Sequence, residues 1–341
     1  MSQSHPYLPN STGQTRKKMF EVIGVSEIEE LYSDIPQTIR MKEPLKIPRQ
    51  RSELEVEKEV QELLGKNTSM DESLSFIGGG VWNHYVPPAV DEIVSRTEFL
   101  TSYTPYQVEI SQGMLQALFE YQSMICELTG MSVANASLYD WASAIAEAAR
   151  MATRVTGRNT LLVPKITHPE RLQTLKTYCE PAGIKVEQIG YVKETGQLDM
   201  ADLKSKLSSQ ISSIYIENPS YLGFILEDVE GISRLCKSNS SLFVVGVDPT
   251  SLGILKPPGD YGADIVVGEG QPLGNHVNFG GPLLGIFACR DDMNLIRHMP
   301  GRLIGMTTTT DGAQRGFTMA LQTREQHIRR ERATSNICTN E

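Results

Sequence analysis

The sequence predicts an α/β protein, with a mostly parallel sheet that follows a helical N-terminal arm. Two features of the chain lead to this prediction. From residue 142 onward, short apolar runs of strand length alternate with amphipathic runs of helix length, whereas residues 1–75 are polar and have the pattern of helices. Alternation at this spacing is typical of parallel strands joined by right-handed helical crossovers.

The arm is predicted over residues 1–75. Thr15–Val25 and Glu27–Tyr32 are short amphipathic runs, and three prolines between residues 36 and 48 interrupt the chain after them. Ser52 then begins a helix whose apolar side chains form one stripe, with Glu55 placed to complete a capping box. A helix of this kind without neighbouring strands usually packs on a larger body or on another chain.

Residues 76–130 lead from the arm to the sheet. A glycine-rich stretch, FIGGG, and an aromatic segment, VWNHYVPP, precede a predicted helix over Pro88–Glu98. The following segment, TSYTPYQVEISQG, has no regular periodicity but carries hydroxyls, two tyrosines and two glutamines. Such segments either line a site or merely connect elements. A long helix is predicted over Gly113–Leu128, with Gly130 as its C-cap.

The alternating region contains the predicted sheet. Its helices are ASAIAEAARMATRVT, PERLQTLKTYCEPAG, MADLKSKLSS and VEGISRLCKSN. Its strands are NTLLVP, KVEQIGYV, SSIYIENP, SLFVVGVDP and ADIVVGEG. Ligands of such sheets bind outside the carboxyl ends of the strands. The residues to inspect are therefore Pro164–Lys165, Glu217–Pro219, Asp248–Thr250 and Gly268–Pro272.

Composition and charge exclude several classes of protein. Of the 341 residues 40% are hydrophobic, which excludes a disordered or collagen-like chain, and no apolar stretch is long enough to span a membrane. The net charge of −9 disfavours nucleic acid as the main partner. The five cysteines are dispersed and offer no metal-site spacing, and the first residues have neither a signal-peptide nor an import-leader pattern. We therefore expect a cytoplasmic protein.

One acidic residue at a strand end is a candidate for chemistry. Asp248 either caps a turn or faces a ligand, and in a pyridoxal-phosphate (PLP) enzyme it would hold the pyridinium proton. The next strand is where such an enzyme of the aspartate aminotransferase superfamily places its Schiff-base lysine, but no lysine follows Lys256. Neither a dinucleotide fingerprint nor a Walker loop is present, and the histidines lack metal-ligand spacing.

Several long blocks of the sequence resemble one family. The alpha, or N-terminal, subunit of the glycine cleavage system P-protein, a decarboxylating glycine dehydrogenase, is closely similar to HYVPPAVDEIVSRTEFLTSYTPYQVEISQGMLQALFEYQSMICELTGMSVANASLYD. The family's opening is similar to YLPNSTGQTRKKMFEVIGVSEIEELYSDIP, and its later blocks to GEGQPLGNHVNFGGPLLGIFA and RRERATSNICTNE. The resemblance covers essentially the whole chain and implies a PLP-dependent type I fold, like that of aspartate aminotransferase.

The resemblance also implies that two different chains form the enzyme and that only one of them carries the cofactor. In this family the beta subunit carries PLP on a lysine, two alpha and two beta chains form a heterotetramer, and the His-Lys dipeptide of the beta pattern corresponds here to Gln271-Pro272. Proline cannot form a Schiff base. This chain is thus expected to complete the active site of a beta subunit that decarboxylates glycine and passes the aminomethyl group to the lipoyl arm of a carrier protein. PLP is expected on the beta subunit, not on this chain.

The same resemblance indicates which residues reach the pocket of the partner. Active sites of this superfamily lie at subunit interfaces, so the irregular polar segments are the candidates. The catalytic candidates are Tyr103, Tyr106, Gln107 and Glu109. The cofactor-binding candidates are Asn83, His84 and Tyr85. No metal ligand is expected.

Two residues argue further against a cofactor pocket within this chain. The helix that begins near Ala142 would offer its first N–H groups to a phosphate, but its N-cap is Asp140, whose charge would repel that anion by ~1 kcal/mol or more. The family usually has glycine where this chain has Trp141. Asp248 is then expected to be a relic or structural.

Three domains and two alternative functions complete the expectations. The domains are the arm (1–75), a large PLP-transferase-type α/β domain (76–320), and the start of a small C-terminal domain (321–341) that the end of the sequence truncates. One alternative is a complete homodimeric PLP enzyme that holds the cofactor on Lys165 or Lys256. The other is a noncatalytic scaffold derived from the family, which Trp141 and the short C-terminus suggest.

Overall fold

The chain divides into two units, Met1–Ser73 and Leu74–Glu341. The computed structural model describes residues 7–43, 45–76, 82–277 and 283–321. The domain boundaries after residues 75 and 320 stay predictions. Except for Leu321, the predicted start of a C-terminal domain lies outside the described residues.

The first unit contains two capped helices, α1 (Gly13–Ile23) and α2 (Glu53–Leu64), with a 3₁₀ turn at Ile28–Tyr32 between them. The side chain of Ser52 accepts from the backbone N–H of Glu55, and the Glu55 carboxylate accepts from the Ser52 N–H at 2.8 Å. This is the predicted capping box, in which two otherwise unbonded donors are satisfied reciprocally. No residue of either helix is buried.

The second unit contains the sheet. Its helices among the described residues are α3 (Pro88–Val94), α4 (Thr97–Leu100), α5 (Gln112–Thr129), α6 (Trp141–Thr156), α7 (Pro169–Cys179), α8 (Met200–Lys206), α9 (Val229–Asn239) and α10 (Met293–Ile296). Its strands are β1 (Val133–Ala134), β2 (Thr160–Pro164), β3 (Lys185–Ile189), β4 (Ile211–Glu217), β5 (Leu242–Val247), β6 (Ile265–Glu269), β7 (Gly285–Cys289), β8 (Leu303–Thr308) and β9 (Arg315–Ala320).

Seven strands form one sheet in the order β1-β7-β6-β5-β4-β2-β3. Strands β2 to β6 are parallel, and β7 runs antiparallel to both β6 and β1. Every residue of β5 is buried because helices cover both faces of the sheet; Val244 packs towards α6, and Val245 packs with α5 and α9 residues. The prediction of an α/β fold with a mostly parallel sheet is confirmed.

The predicted helix over Pro88–Glu98 is interrupted at Ser95 and Arg96. Helix α3 ends at Val94, and a separate turn, α4, follows at Thr97–Leu100. Between them the Ser95 hydroxyl donates to a carbonyl one turn earlier at 2.6 Å, and Arg96 is extended. A serine that bonds back to the preceding turn weakens a helix, and here the helix stops beside it.

Two glutamines of α5 hold the hairpin formed by β8 and β9. Gln122 Nε2 donates to the carbonyl of Ile304, and Gln122 Oε1 accepts from the Ile304 N–H, each at 2.9 Å. Gln112 makes the same pair of bonds with Phe317, at 2.9 and 2.8 Å. Each side-chain amide therefore bonds to the hairpin as the backbone of a neighbouring strand would.

Replacing Gln122 with leucine should lower the free energy of unfolding by about 2–3 kcal/mol, because the buried N–H and C=O of Ile304 lose their partner. Urea unfolding followed by circular dichroism measures the change. Gln116→Leu is the matched control, since Gln116 lies exposed on the same helix and bonds to Glu120 at the surface; its effect should stay within about 0.5 kcal/mol. Equal losses in the two variants would contradict the role of Gln122.

Candidate functional site

The carboxyl ends of β2, β4, β5 and β6 lie at one edge of the sheet, next to the first residue of α6. This is the edge at which α/β proteins bind ligands. We call it the carboxyl edge. Here it is built largely from buried aromatic and charged side chains of the chain itself.

Trp141 fills the space in front of β4 and β5. Its side chain is 4% exposed, and its indole N–H donates to the Tyr215 hydroxyl at 3.0 Å. The Arg171 guanidinium lies 3.5 Å from the centre of the indole, a close cation–π contact. Gly246 of β5 makes room for the ring, because a Cβ at this position would collide with the Tyr215 hydroxyl and lie 2.8 Å from Trp141 Cζ2.

A buried ion pair lies behind the indole. Arg171 Nη1 is 3.1 Å from Glu217 Oε1, and both side chains are buried. The Tyr215 hydroxyl donates to the same carboxylate oxygen at 3.0 Å. Burial raises the pKa of Glu217, while the charge of Arg171 opposes that rise. Buried charges need such additional partners because desolvation can exceed the Coulomb attraction of the pair alone.

Glu269, at the end of β6, bonds to three separate backbone donors. Its Oε2 accepts from the Trp141 N–H at 3.2 Å, and its Oε1 accepts from the N–H groups of Gln271 and Leu284 at 3.0 and 2.9 Å. Burial raises the pKa of Glu269 to about 7, although the backbone donors oppose the shift. The predicted N-cap is also present, since Asp140 Oδ1 accepts from a helix N–H at 2.7 Å. Carboxyl groups therefore satisfy donors of α6 that a phosphate would need.

The other strand-end residues are bonded within the chain, exposed to solvent or buried in a turn. Asp248 caps a turn, where its Oδ1 accepts from the N–H and hydroxyl of Thr250 at 3.0 and 2.7 Å; this is the first of its two interpretations. Lys165 is exposed, and Lys256 forms an exposed ion pair. Gln271-Pro272 lies buried in a 3₁₀ turn after β6. The position beside α6 is thus occupied by the bonded Glu269 carboxyl group and the buried Trp141 indole.

The four catalytic candidates lie on one irregular loop between α4 and α5. Arg302, which is 1% exposed, donates from Nη2 to the Tyr106 hydroxyl at 2.8 Å, and its guanidinium carbon lies 4.8 Å from the centre of the ring. Tyr103 is 69% exposed. Gln107 Nε2 donates to Glu109 Oε2 at 3.2 Å on the surface. Sequence reasoning missed Arg302, which lies 196 positions from Tyr106 along the chain.

The three cofactor-binding candidates lie beside the turn after β6. The N–H of Trp82 donates to Gln271 Oε1 at 3.4 Å, and His84 Nδ1 lies 2.9 Å from the Trp82 carbonyl oxygen. His84 Nε2 is buried and has no hydrogen-bond partner among the described residues. Asn83 and Tyr85 are exposed. The catalytic candidates are thus held through Arg302, and the cofactor-binding candidates follow Trp82, which bonds to Gln271. The roles of all seven residues stay predictions.

A cavity of about 650 Å³ opens between α3, α5 and the turn after β6. This volume is within the range of small-molecule pockets. Its walls are mainly apolar side chains of the two helices, including Tyr121 and Met124, and its polar rim is the pair formed by His276 Nε2 and Asp91 Oδ1 at 2.9 Å. The seven predicted site residues are not among the described residues that line it. Of its lining, the sequence pointed only to Gly270, within the strand end Gly268–Pro272; the lining residues of α3 and α5 have the spacing of ordinary helix positions.

Two further observations concern metal ions and membranes. In the described ranges, no group of three or more His, Cys, Asp or Glu side chains could hold a metal ion. No helix within the same ranges is long and apolar enough to cross a membrane.

Comparison with known proteins identifies relatives along the whole chain. The family described as the glycine cleavage system P-protein matches residues 5–341. A probable glycine dehydrogenase (decarboxylating) subunit 1 from Staphylothermus marinus is 50% identical over 99% of this chain and 73% of its own length. Its counterpart from Pyrococcus abyssi is 52% identical over 98% of this chain and 74% of its own length. A crystal structure of glycine decarboxylase (P-protein) in inhibitor-bound form superposes with a TM-score of 0.86 at 40% identity, covering 98% of this chain and 74% of that chain.

The pH dependence of stability should report on Glu269. A carboxyl group whose pKa is raised to about 7 stabilises the folded state fully below its ordinary pKa of 4.5, and the contribution is lost as the pH rises through 7. Relative to Glu269→Gln, the wild type should therefore lose about 2–3 kcal/mol of unfolding free energy between about pH 5 and pH 8.

Urea unfolding at the two pH values measures this difference. Glu227→Gln is the control for replacing a carboxyl group, because Glu227 is exposed. If the difference between the wild type and Glu269→Gln were the same at both pH values, burial would not be the dominant influence on Glu269.

Proposed function

Because the chain belongs to the glycine cleavage system P-protein family, we propose that it is the subunit that completes the active site without holding the cofactor. The family is PLP-dependent, and relatives named subunit 1 imply a second subunit. The observation that carries the proposal is the filled carboxyl edge, where Trp141 and Glu269 occupy the position beside α6. The resemblance supports it, because Gln271-Pro272 corresponds to the His-Lys dipeptide of the beta pattern.

The partner in this proposal is a beta subunit that carries PLP, and two chains of each kind form the enzyme. The substrate is glycine, which loses its carboxylate as CO₂, and the aminomethyl group passes to the lipoyl arm of a carrier protein. When bound to the beta subunit, PLP supplies an electron sink for the carbanion left by decarboxylation. We also retain the prediction of a cytoplasmic location.

This chain supplies hydrogen-bonding groups on a fixed loop. Pro105 is buried and restricts the backbone next to Tyr106, whose ring is held by Arg302. Tyr103, Gln107 and Glu109 are exposed, so a partner surface can reach them. A carboxylate entering a water-poor pocket needs such donors, because an unsatisfied buried charge is costly. Asn83, His84 and Tyr85 are assigned to the cofactor side of the same pocket.

Labelling with PLP tests which chain holds the cofactor. After incubation with PLP and reduction with borohydride, this chain alone should carry no more label on Lys165 or Lys256 than on the exposed Lys185, whereas the assembled enzyme should carry stoichiometric label on the beta subunit. Peptide mapping measures both. Selective, stoichiometric label on Lys165 or Lys256 would instead support the homodimeric alternative. The scaffold alternative is tested by activity: a chain that fails to raise the activity of the beta subunit would support it.

Tyr106→Phe tests the site loop. In the assembled enzyme it should lower the rate of glycine–bicarbonate exchange about 10- to 150-fold, which corresponds to about 1.5–3 kcal/mol for one hydrogen bond to a charged group. Assembly with the beta subunit, followed by size-exclusion chromatography, should be unchanged.

The control for this variant is Tyr139→Phe, since Tyr139 is exposed and lies outside the loop. Full activity in Tyr106→Phe would mean that Tyr106 only packs at an interface. Loss of assembly would mean that the loop has a structural role and that the catalytic assignment is wrong.

A further inference from the structure

We propose that Arg302 is a positioning residue for the active site shared with the partner subunit, and that it acts through Tyr106. The inference rests on the function proposed above, in which Tyr106 serves that site. Arg302 lies immediately before β8, outside the loop that carries the four catalytic candidates.

Arg302 fixes both the position and the direction of the Tyr106 side chain. The bond from Nη2 to the hydroxyl, 2.8 Å long, sets the distance at the tip of the ring, and the guanidinium lying 4.8 Å from the ring centre restricts its tilt. A planar guanidinium can make both contacts at once, whereas the ammonium of a lysine cannot reproduce the stacked arrangement. A charged donor at the phenol oxygen also polarises the O–H group and makes it a stronger donor.

The backbone of Arg302 is itself held rigidly. Its carbonyl accepts from the Ala136 N–H at 2.8 Å, and the preceding Pro300 carbonyl accepts from Asn135 Nδ2 at 2.9 Å. Gly301 between them has φ +76, and a Cβ there would lie 2.7 Å from the Asn135 amide nitrogen. Since glycine tolerates this conformation and leaves this space, the chain can deliver the Arg302 side chain to a buried position.

The loop that bears Tyr106 is tied to the same frame. Gln112 Nε2 donates to the Val108 carbonyl at 2.8 Å as well as to β9, so one side chain joins the end of the loop to the hairpin. Arg302 precedes that hairpin. The position of Tyr106 is therefore coupled to the hairpin through the loop backbone and through its own ring.

Activity of the assembled enzyme in a double-mutant cycle tests the inference. We expect Tyr106→Phe to lower kcat/KM for glycine–bicarbonate exchange about 10- to 150-fold, as above, and Arg302→Met to lower it roughly 10-fold. The double variant should be no worse than the poorer single variant, because both changes remove the same bond. Arg302→Lys, which keeps a donor, should lose less than Arg302→Met. Arg315→Met is the control: Arg315 is exposed on the same hairpin and lies 5.7 Å from the Phe317 ring, and its activity should stay within about twofold of the wild type.

Three results would overturn the inference. Losses that multiply in the double variant would mean that Arg302 acts on the fold and not through Tyr106. Wild-type activity in Arg302→Met, with Tyr106→Phe impaired, would overturn the role of Arg302 and leave the proposed function standing. Full activity in Tyr106→Phe would overturn the inference together with the catalytic assignment of Tyr106, while the proposed function would still be tested by the PLP labelling. If Arg302→Met does not fold, the same cycle is run with Arg302→Lys, and a multiplicative loss there has the same meaning.

Discussion

The carboxyl edge is filled by the chain's own side chains because the Trp141 indole and the Arg171 guanidinium are buried there in contact with each other. Trp141 is the first residue of α6, so the burial of its indole brings the start of this helix against β4 and β5. The guanidinium stacked on it also pairs with Glu217, and the Tyr215 hydroxyl bonds to both the indole and the carboxylate. Removing any one of these groups leaves a buried charge or polar atom with fewer partners, which is more costly than the loss of an apolar contact. The edge is thus part of the protein core.

At the same edge, Glu269 bonds to a backbone donor at the N-terminus of the 16-residue helix α6, where the first N–H groups have no partner within the helix. Its carboxyl group joins the start of α6, the turn after β6 and the residue that precedes β7. A bound anion could satisfy the same helix donors, but then the turn and β7 would need other partners. The Trp141 indole and this carboxyl group therefore both stabilise the fold in its present form, and in the function proposed above they occupy the position that a phosphate would need.

The strands and helix caps could be predicted from sequence because local patterns encode them. Strands β2, β5 and β6 are nearly continuous apolar runs, as expected for strands buried on both faces. Asp140 and Ser52 cap helices within three residues of their own positions. Strand β7 was missed, since GIFAC is a short run without a flanking helix pattern. The hairpin was missed because half of β8 is exposed, and because the glutamines that bond to it lie 182 and 205 positions earlier in the chain.

The candidate site was harder to predict for the same physical reason. An irregular polar loop can be recognised in the sequence, but the groups that hold it come from distant elements, as Arg302 does for Tyr106 and Gln271 does for Trp82. A loop that serves another chain binds more tightly when it is already ordered, because ordering it on association would subtract from the binding free energy. The loop next to α5 meets this condition at Tyr106, whose ring is fixed, while the neighbouring Tyr103 stays exposed. A preorganised contribution to a shared site requires this combination, in which one side chain is held in place and a nearby side chain is exposed.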